Sequence, residues 1–365
     1  MQPVPQRLSR TSRPVSRPVS QPVSRPVSGP VASRTEPRPV RKAFSLIELM
    51  VVITIIAILM SLLLVGVQAA RTAARVASVT VEFKNLEKSI ADFKAEFGAE
   101  PPSGIVLFET PAGWTPPVAA TAAVRAIAAR SRALVRQIWP DFDFTMARDI
   151  NDDGDMSDTI TLNGAECLVF FLGGVPDQTG NVDTPWAALG FSTNPLNPFG
   201  RGGARNGPFY EFDAGRLNNQ EGTTATLDPE FMPEYIDSLP GQRNPILFAS
   251  SYGGRGYRDA DVQLTTQAAY DEYVTPPTGF AYYYRRYSGT TYPIPAVDPP
   301  GAPVIEIFST REAFNPRSFQ LISPGMDGEY GWGGVLNTDM ELNEPRPERA
   351  YERDNITNFK GGTLN

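Results

Sequence analysis

FSLIELMVVITIIAILMSLLLVGV, residues 44–67, carries a single ionisable side chain, Glu48, at its very start. As a helix rising about 1.5 Å per residue it would cover about 36 Å, more than the bilayer core of about 30 Å. On the near side, residues 1–43 hold nine Lys or Arg (Arg7, Arg10, Arg13, Arg17, Arg25, Arg34, Arg38, Arg41 and Lys42) against one acid, Glu36. A basic flank marks the side held in the cytoplasm, so the rest of the chain is expected outside.

The pattern changes without a break beyond Val67. Val76, Val79, Phe83, Leu86, Ile90, Phe93 and Phe97 recur at alternating spacings of three and four, one face of an amphipathic helix. Glu82, Lys84, Glu87, Lys88, Asp92, Lys94 and Glu96 are read onto the other faces, and Gly98 with Pro101-Pro102 supplies the stop. One helix over 44–97 is expected, apolar in 44–67 and amphipathic in 68–97. An ordinary secretory signal peptide is the competing reading, cut near Ala69. Its apolar core runs about 7–15 residues, shorter than the stretch here.

Residues 1–43 repeat Arg13-Pro-Val-Ser16 as Arg17–Ser20, Gln21–Ser24 and Arg25–Ser28. Proline at every fourth position blocks helix and ladder, so an extended arm is expected, either a recognition tail, a spacer or the product of a start placed too far upstream. Beyond Pro102 the body reads as α+β. Residues 118–138 form a second helix, 164–172 a short buried helix or strand, and 280–287, 304–308 and 319–322 strands. The body is taken as 98–341, followed by a polar, loosely held tail over 342–365. The 35 prolines and 31 glycines predict many loops, and 41% apolar residues supply a core.

The chain's net charge of −7 hides +8 in residues 1–43 and −15 in the remainder. An acidic body argues against nucleic acid as main partner. Histidine is absent, which removes Ser-His-Asp and Cys-His nucleophile systems and every His-ligated zinc site. The one cysteine, Cys167, excludes an intrachain disulfide and reads as a small buried apolar residue. With no paired-carboxylate motif either, the chain is read as a non-enzyme needing no organic cofactor.

Arg41-Lys42-Ala43-Phe44-Ser45-Leu46-Ile47-Glu48-Leu49-Met50 resembles the N-terminal signal of type IV prepilins and type II secretion pseudopilins: a basic leader, a small residue, then Phe-Ser-Leu-Ile-Glu and an apolar run. The likeness is strong over Lys42–Gly66 and looser to Phe97. It implies a pilin-like fold, a long helix on an antiparallel sheet, with cleavage between Ala43 and Phe44 and N-methylation of Phe44. Ala43 departs from the glycine usual there. The resemblance also implies a prepilin peptidase/methyltransferase, other pilin or pseudopilin subunits, an inner-membrane assembly platform and membrane lipid as partners. The chain would sit in a bacterial inner membrane with a cytoplasmic N-terminus and a periplasmic or extracytoplasmic C-terminal domain. A carboxylate at mid-bilayer costs about 2.5–3.5 kcal/mol, less near the interface, so Glu48 needs a reason. Pairing with the new α-amino group of a neighbouring subunit supplies one and fixes axial register. A secretion pseudopilin is the leading expectation, with a type IV pilus subunit, or a surface domain borrowing a pilin-type anchor, as alternatives.

Two acidic stretches are candidate calcium loops. Asp149-Ile-Asn-Asp-Asp-Gly-Asp-Met-Ser-Asp158 matches the start of an EF-hand loop through Asp149, Asn151, Asp153 and Gly154, with Asp155 and Asp158 adding oxygens. Ile160 stands where the bidentate glutamate would be, so the loop is truncated, and an acidic solvated turn is the alternative. Phe319-Gln-Leu-Ile-Ser-Pro-Gly-Met-Asp-Gly-Glu329 and Asp354–Phe359 look like the closing segments of major pseudopilins. That likeness makes Asp327 and Asp354 candidate calcium ligands, beside the plainer reading of an Asx-type turn at Asp327-Gly328.

Overall fold

The computed structural model describes residues 45–177, 187–218, 232–258, 284–286, 312–330, 334–336 and 347–364. The chain divides into two compact units, Met1–Ser61 and Leu62–Asn365. Both draw on helix α1 (Leu46–Phe97), unbroken over 52 residues. Ala43 and Phe44, the arm before them and the expected strand at 304–308 lie outside the described residues.

In the first unit every described side chain is exposed. The hydroxyls of Thr54 and Ser61 turn back onto the helix, donating to Met50 O (2.8 Å) and Ile58 O (2.8 Å). Their polar groups are thus satisfied without water, the condition for an apolar solvent.

The second unit is built around the far part of α1. Val79, Phe83, Leu86, Ile90 and Phe93 are all 1% exposed or less, as the spacing predicts. Fully burying each apolar side chain of this size is worth about 1.5–3 kcal/mol. Phe93 sets its edge to Phe171 (5.9 Å) and Phe209 (5.4 Å), and Phe97 does the same to Trp139 (5.6 Å) and Phe191 (6.1 Å). The Ser89 hydroxyl donates to Phe209 O at 2.8 Å. The helix is therefore held by rings and by a hydrogen bond on its buried face.

Strand β1 (Ile105–Phe108) pairs antiparallel with β2 (Thr159–Leu162), Ile105 opposite Leu162. Between them α2 spans Ala122–Ile138. It starts four residues later than the composition suggests, because a turn closes at Ala120 N→Pro117 O (2.9 Å) and Thr121 then caps Val124 N. The ambiguous apolar run is helix α3 (Gly164–Gly173), opened by a capping box between Asn163 and Glu166. A Cβ on Gly164 would stand 2.0 Å from Phe248 O, so only glycine allows α3 this close to the strand beside it.

That strand, β3 (Leu247–Ser250), belongs to the main sheet with β4 (Phe319–Ser323), β5 (Ile356–Thr357) and β6 (Gly362–Thr363). The order is β6-β5-β4-β3, antiparallel throughout, with Phe319 opposite Ser250, Ser323 opposite Ile356 and Ile356 opposite Thr363. Short pieces at 284–286, 312–313 and 334–336 form a separate three-stranded sheet. The architecture is the expected α+β arrangement of a long apolar helix and a small antiparallel sheet.

The tail departs from expectation. Its described residues, 347–364, are not loosely held but supply β5 and β6. Ile356 is fully buried and Leu364 is 4% exposed. The Asn358 side chain braces the sheet, accepting from Leu321 N (3.0 Å) and donating to Phe319 O (3.3 Å) and to Glu87 on α1 (3.2 Å). Two apolar anchors and one amide outweigh a polar composition.

Candidate functional site

Glu48 lies in the first turn of α1, where the unsatisfied N–H groups and the helix dipole favour a negative charge. Leu49 N donates to Ser45 O at 3.1 Å, so the helix is already formed at this carboxylate. No other ionisable side chain follows until Arg71. Among the described residues, α1 is the one helix long and apolar enough to cross a membrane.

On the body side α1 carries a second acid, Glu82, read from sequence onto a solvated face but 9% exposed. Its Oε1 accepts from Arg216 Nη2, and the Arg216 guanidinium lies over the Tyr235 ring at 4.3 Å. Burial pushes the Glu82 carboxyl above its usual range, against the pull of Arg216 and a hydrogen bond from Tyr235. Burial also raises the Tyr210 and Tyr235 phenols, with the Glu82 charge adding to the effect. The charged pair therefore sits in a poorly solvated seat that fixes the helix to residues 134 positions away.

The acidic loop hangs from Glu109, just past β1 and fully buried. Glu109 Oε1 accepts from Ile150 N (2.6 Å) and Oε2 from Asp158 N (3.2 Å), clamping the loop at both ends. Burial raises the Glu109 carboxyl despite these donors. Asp149 serves the loop itself, accepting from Asp152 N (2.6 Å) and Gly154 N (3.2 Å), while Arg201 approaches Asp149 at 3.8 Å and Asp152 at 3.0 Å. Asn151 Nδ2 donates to Asp158 Oδ2 (2.9 Å) and Asp153 Oδ2 (3.2 Å). Oxygens of Glu109, Asp155 and Asp158 all lie within 4.8 Å of one another. Partial burial raises the Asp158 carboxyl, with Asp153 and Asp155 adding like charge.

Asp327 and Asp354 meet in the turn after β4. Asp354 Oδ2 accepts from Met326 N and Asp327 N, and Asp327 Oδ1 from Glu329 N (2.9 Å). Both carboxylates thus act as braces of the turn. Partial desolvation pushes Asp327 up to about 6, with the Asp354 and Glu329 charges adding to it against the Glu329 N–H. A folded pKa above the unfolded one means the native state holds this proton more tightly. Its contribution to stability is complete below about pH 4 and is lost as pH rises through about 6. Asp327→Asn should therefore flatten that part of the curve when urea midpoints are measured from pH 4 to 7 in metal-free buffer. A variant that keeps the parent's slope would contradict this.

The family model for the prokaryotic N-terminal methylation motif matches residues 38–64. The chain carries a type IV pilin-like prepilin signal. The matched residues are a small part of the 365, and the body is not covered. No significant match was found among curated proteins or among solved structures. A prepilin signal implies processing by a prepilin peptidase and assembly with other pilin subunits. Joined to one long apolar helix, it points to a single-pass membrane anchor.

The prepilin signal spans Ala43, Phe44 and Glu48, of which only Glu48 is among the described residues. Of the acidic-loop residues, the structure brings Asp155 and Asp158 together and sets Asp153 beside them through Asn151, while Asp149 turns inward to the loop backbone and Arg201. Glu109 and the Glu82–Arg216 pair were not singled out from sequence. Glu109 lies forty residues before the loop it holds, and no local pattern marks such a partner.

Proposed function

We propose that the chain is a pseudopilin, a structural subunit of a type II secretion-type filament, assembled through its N-terminal helix. The observation that carries this reading is the prepilin signal with Glu48 in the first turn of an exposed apolar helix. Cleavage before Phe44 creates an α-amino group four residues from Glu48. Methylation of that amine keeps its positive charge. The carboxylate of one subunit then meets the amine of the next, in a low dielectric where two unpaired charges would both be costly. Such a contact is head-to-tail and does not close on itself, so it propagates as an open filament. The far part of α1, seated by its aromatic face and by Glu82–Arg216, carries the acidic body on the filament surface.

Secretion is favoured over a pilus by the likeness of Phe319–Glu329 and Asp354–Phe359 to the closing segments of major pseudopilins. Deleting the gene tests the choice. The expected result is loss of exoprotein secretion with surface pili, motility and DNA uptake intact. Loss of pili with secretion unchanged would assign the chain to a type IV pilus instead. A deletion that alters neither would favour a surface domain on a pilin-type anchor.

A further inference from the structure

We propose that Glu109 joins Asp153, Asp155, Asp158 and Asn151 in holding one calcium ion at the base of the 149–158 loop. This goes beyond filament assembly and stands independently of it.

The first observation is the convergence of oxygens. Three carboxylates from two separate segments, one of them fully buried, bring ligand atoms within 4.8 Å of one another. Asp153 is tied to the same place by its bond to the Asn151 amide. Glu109 uses one lone pair on each oxygen for Ile150 N and Asp158 N, and each oxygen keeps another for a ligand bond.

The second observation is independent of the acids. Asn151 is 1% exposed, and its Oδ1 is buried with no donor. Leaving a buried amide oxygen unpaired costs about 1–3 kcal/mol. The amide group lies against the cluster, because its Nδ2 bridges Asp153 and Asp158. Half a turn about the Cβ–Cγ bond would place Oδ1 among the carboxylates instead, and the assignment of O and N in an amide rests on its partners. That orientation is repulsive among anions alone and becomes favourable with a cation between them. In that turned orientation a single ion would take Oδ1 as a ligand and offset the crowded charge.

The donor set selects the ion. All candidate ligands are oxygens, four of the five residues are carboxylates, and neither histidine nor cysteine is present among them, which disfavours zinc and copper. Donors spread over a strand end and an irregular loop suit the 6–8-coordinate, loosely shaped shell of calcium. The near-ideal octahedron that magnesium demands is a poorer match. The truncated motif also makes sense here: Ile160, in place of the loop's own closing glutamate, enters the core at 3% exposure, and Glu109 supplies a carboxylate from outside the loop.

Isothermal titration of the full-length chain in detergent with CaCl₂, after chelation, tests the proposal. The Asp155→Asn/Asp158→Asn double variant changes side chains that are exposed or half-buried, so its fold should persist, as circular dichroism would verify. The expected result is that it binds one calcium fewer than the parent, or binds that equivalent at least about tenfold more weakly. Glu109→Gln should lose the same equivalent. The parent should melt higher with calcium than without, and the double variant should lose most of that rise. Undiminished calcium stoichiometry and affinity in the double variant would overturn the proposal, as would a parent that binds no calcium or binds magnesium equally well.

Discussion

Arg216→Met is expected to destabilise the chain by about 3–5 kcal/mol, the usual cost of breaking a buried ion pair from one side. Glu82 would keep its burial and lose its opposite charge, and its second oxygen, Oε2, already lacks a partner. The guanidinium also covers the Tyr235 ring, so packing is lost with the charge. Protonation of Glu82, whose carboxyl is already pushed up by burial, would relieve part of the loss. The defect should therefore shrink as pH falls towards the carboxylate range. Adding Glu82→Gln to Arg216→Met should recover much of the lost stability, since no buried charge is then left alone. Urea melts of parent, single and double variants in detergent give the comparison. A single variant within about 1 kcal/mol of the parent, or a double variant no better than the single, would show that the seat does not depend on the pair.

Glu48→Ala should separate processing from assembly. The variant should be inserted and cleaved like the parent, because the cut expected between Ala43 and Phe44 lies four residues before the changed side chain. It should then accumulate in the membrane without entering filaments. Removing one partner of a low-dielectric pair costs about 3–5 kcal/mol, which lowers each subunit–subunit contact by two orders of magnitude or more. Immunoblots of sheared filament and membrane fractions report the split. Incorporation at the parent's level would remove Glu48 from the assembly mechanism.

What the sequence showed and what it hid divide along one physical line. The buried face of α1 was legible because helical geometry alone sets it: Val79, Phe83, Leu86, Ile90 and Phe93 follow from a 3.6-residue period. The membrane-length run was legible for the same reason. Residues 164–172 were ambiguous because a segment buried on all sides has no period, and only the Asn163–Glu166 capping box decides for a helix. Glu82 escapes the sequence because local pattern assigns charges to water, whereas its partner Arg216 is supplied by a distant 3-10 turn, Ala214–Arg216. Two buried residues, Ile356 and Leu364, hold the tail more firmly than its composition implies. Half of the acidic loop was legible as alternating oxygens. Glu109 was not, because convergence of a strand end on a loop is a property of the fold.

Mass spectrometry of the mature N-terminus reads the prepilin signal where it acts. A prepilin signal predicts a chain that begins at Phe44 and carries one added methyl group on its α-amine, with residues 1–43 removed. A chain that retains those residues, or one that begins near Ala70 after an ordinary signal-peptide cut, would contradict it.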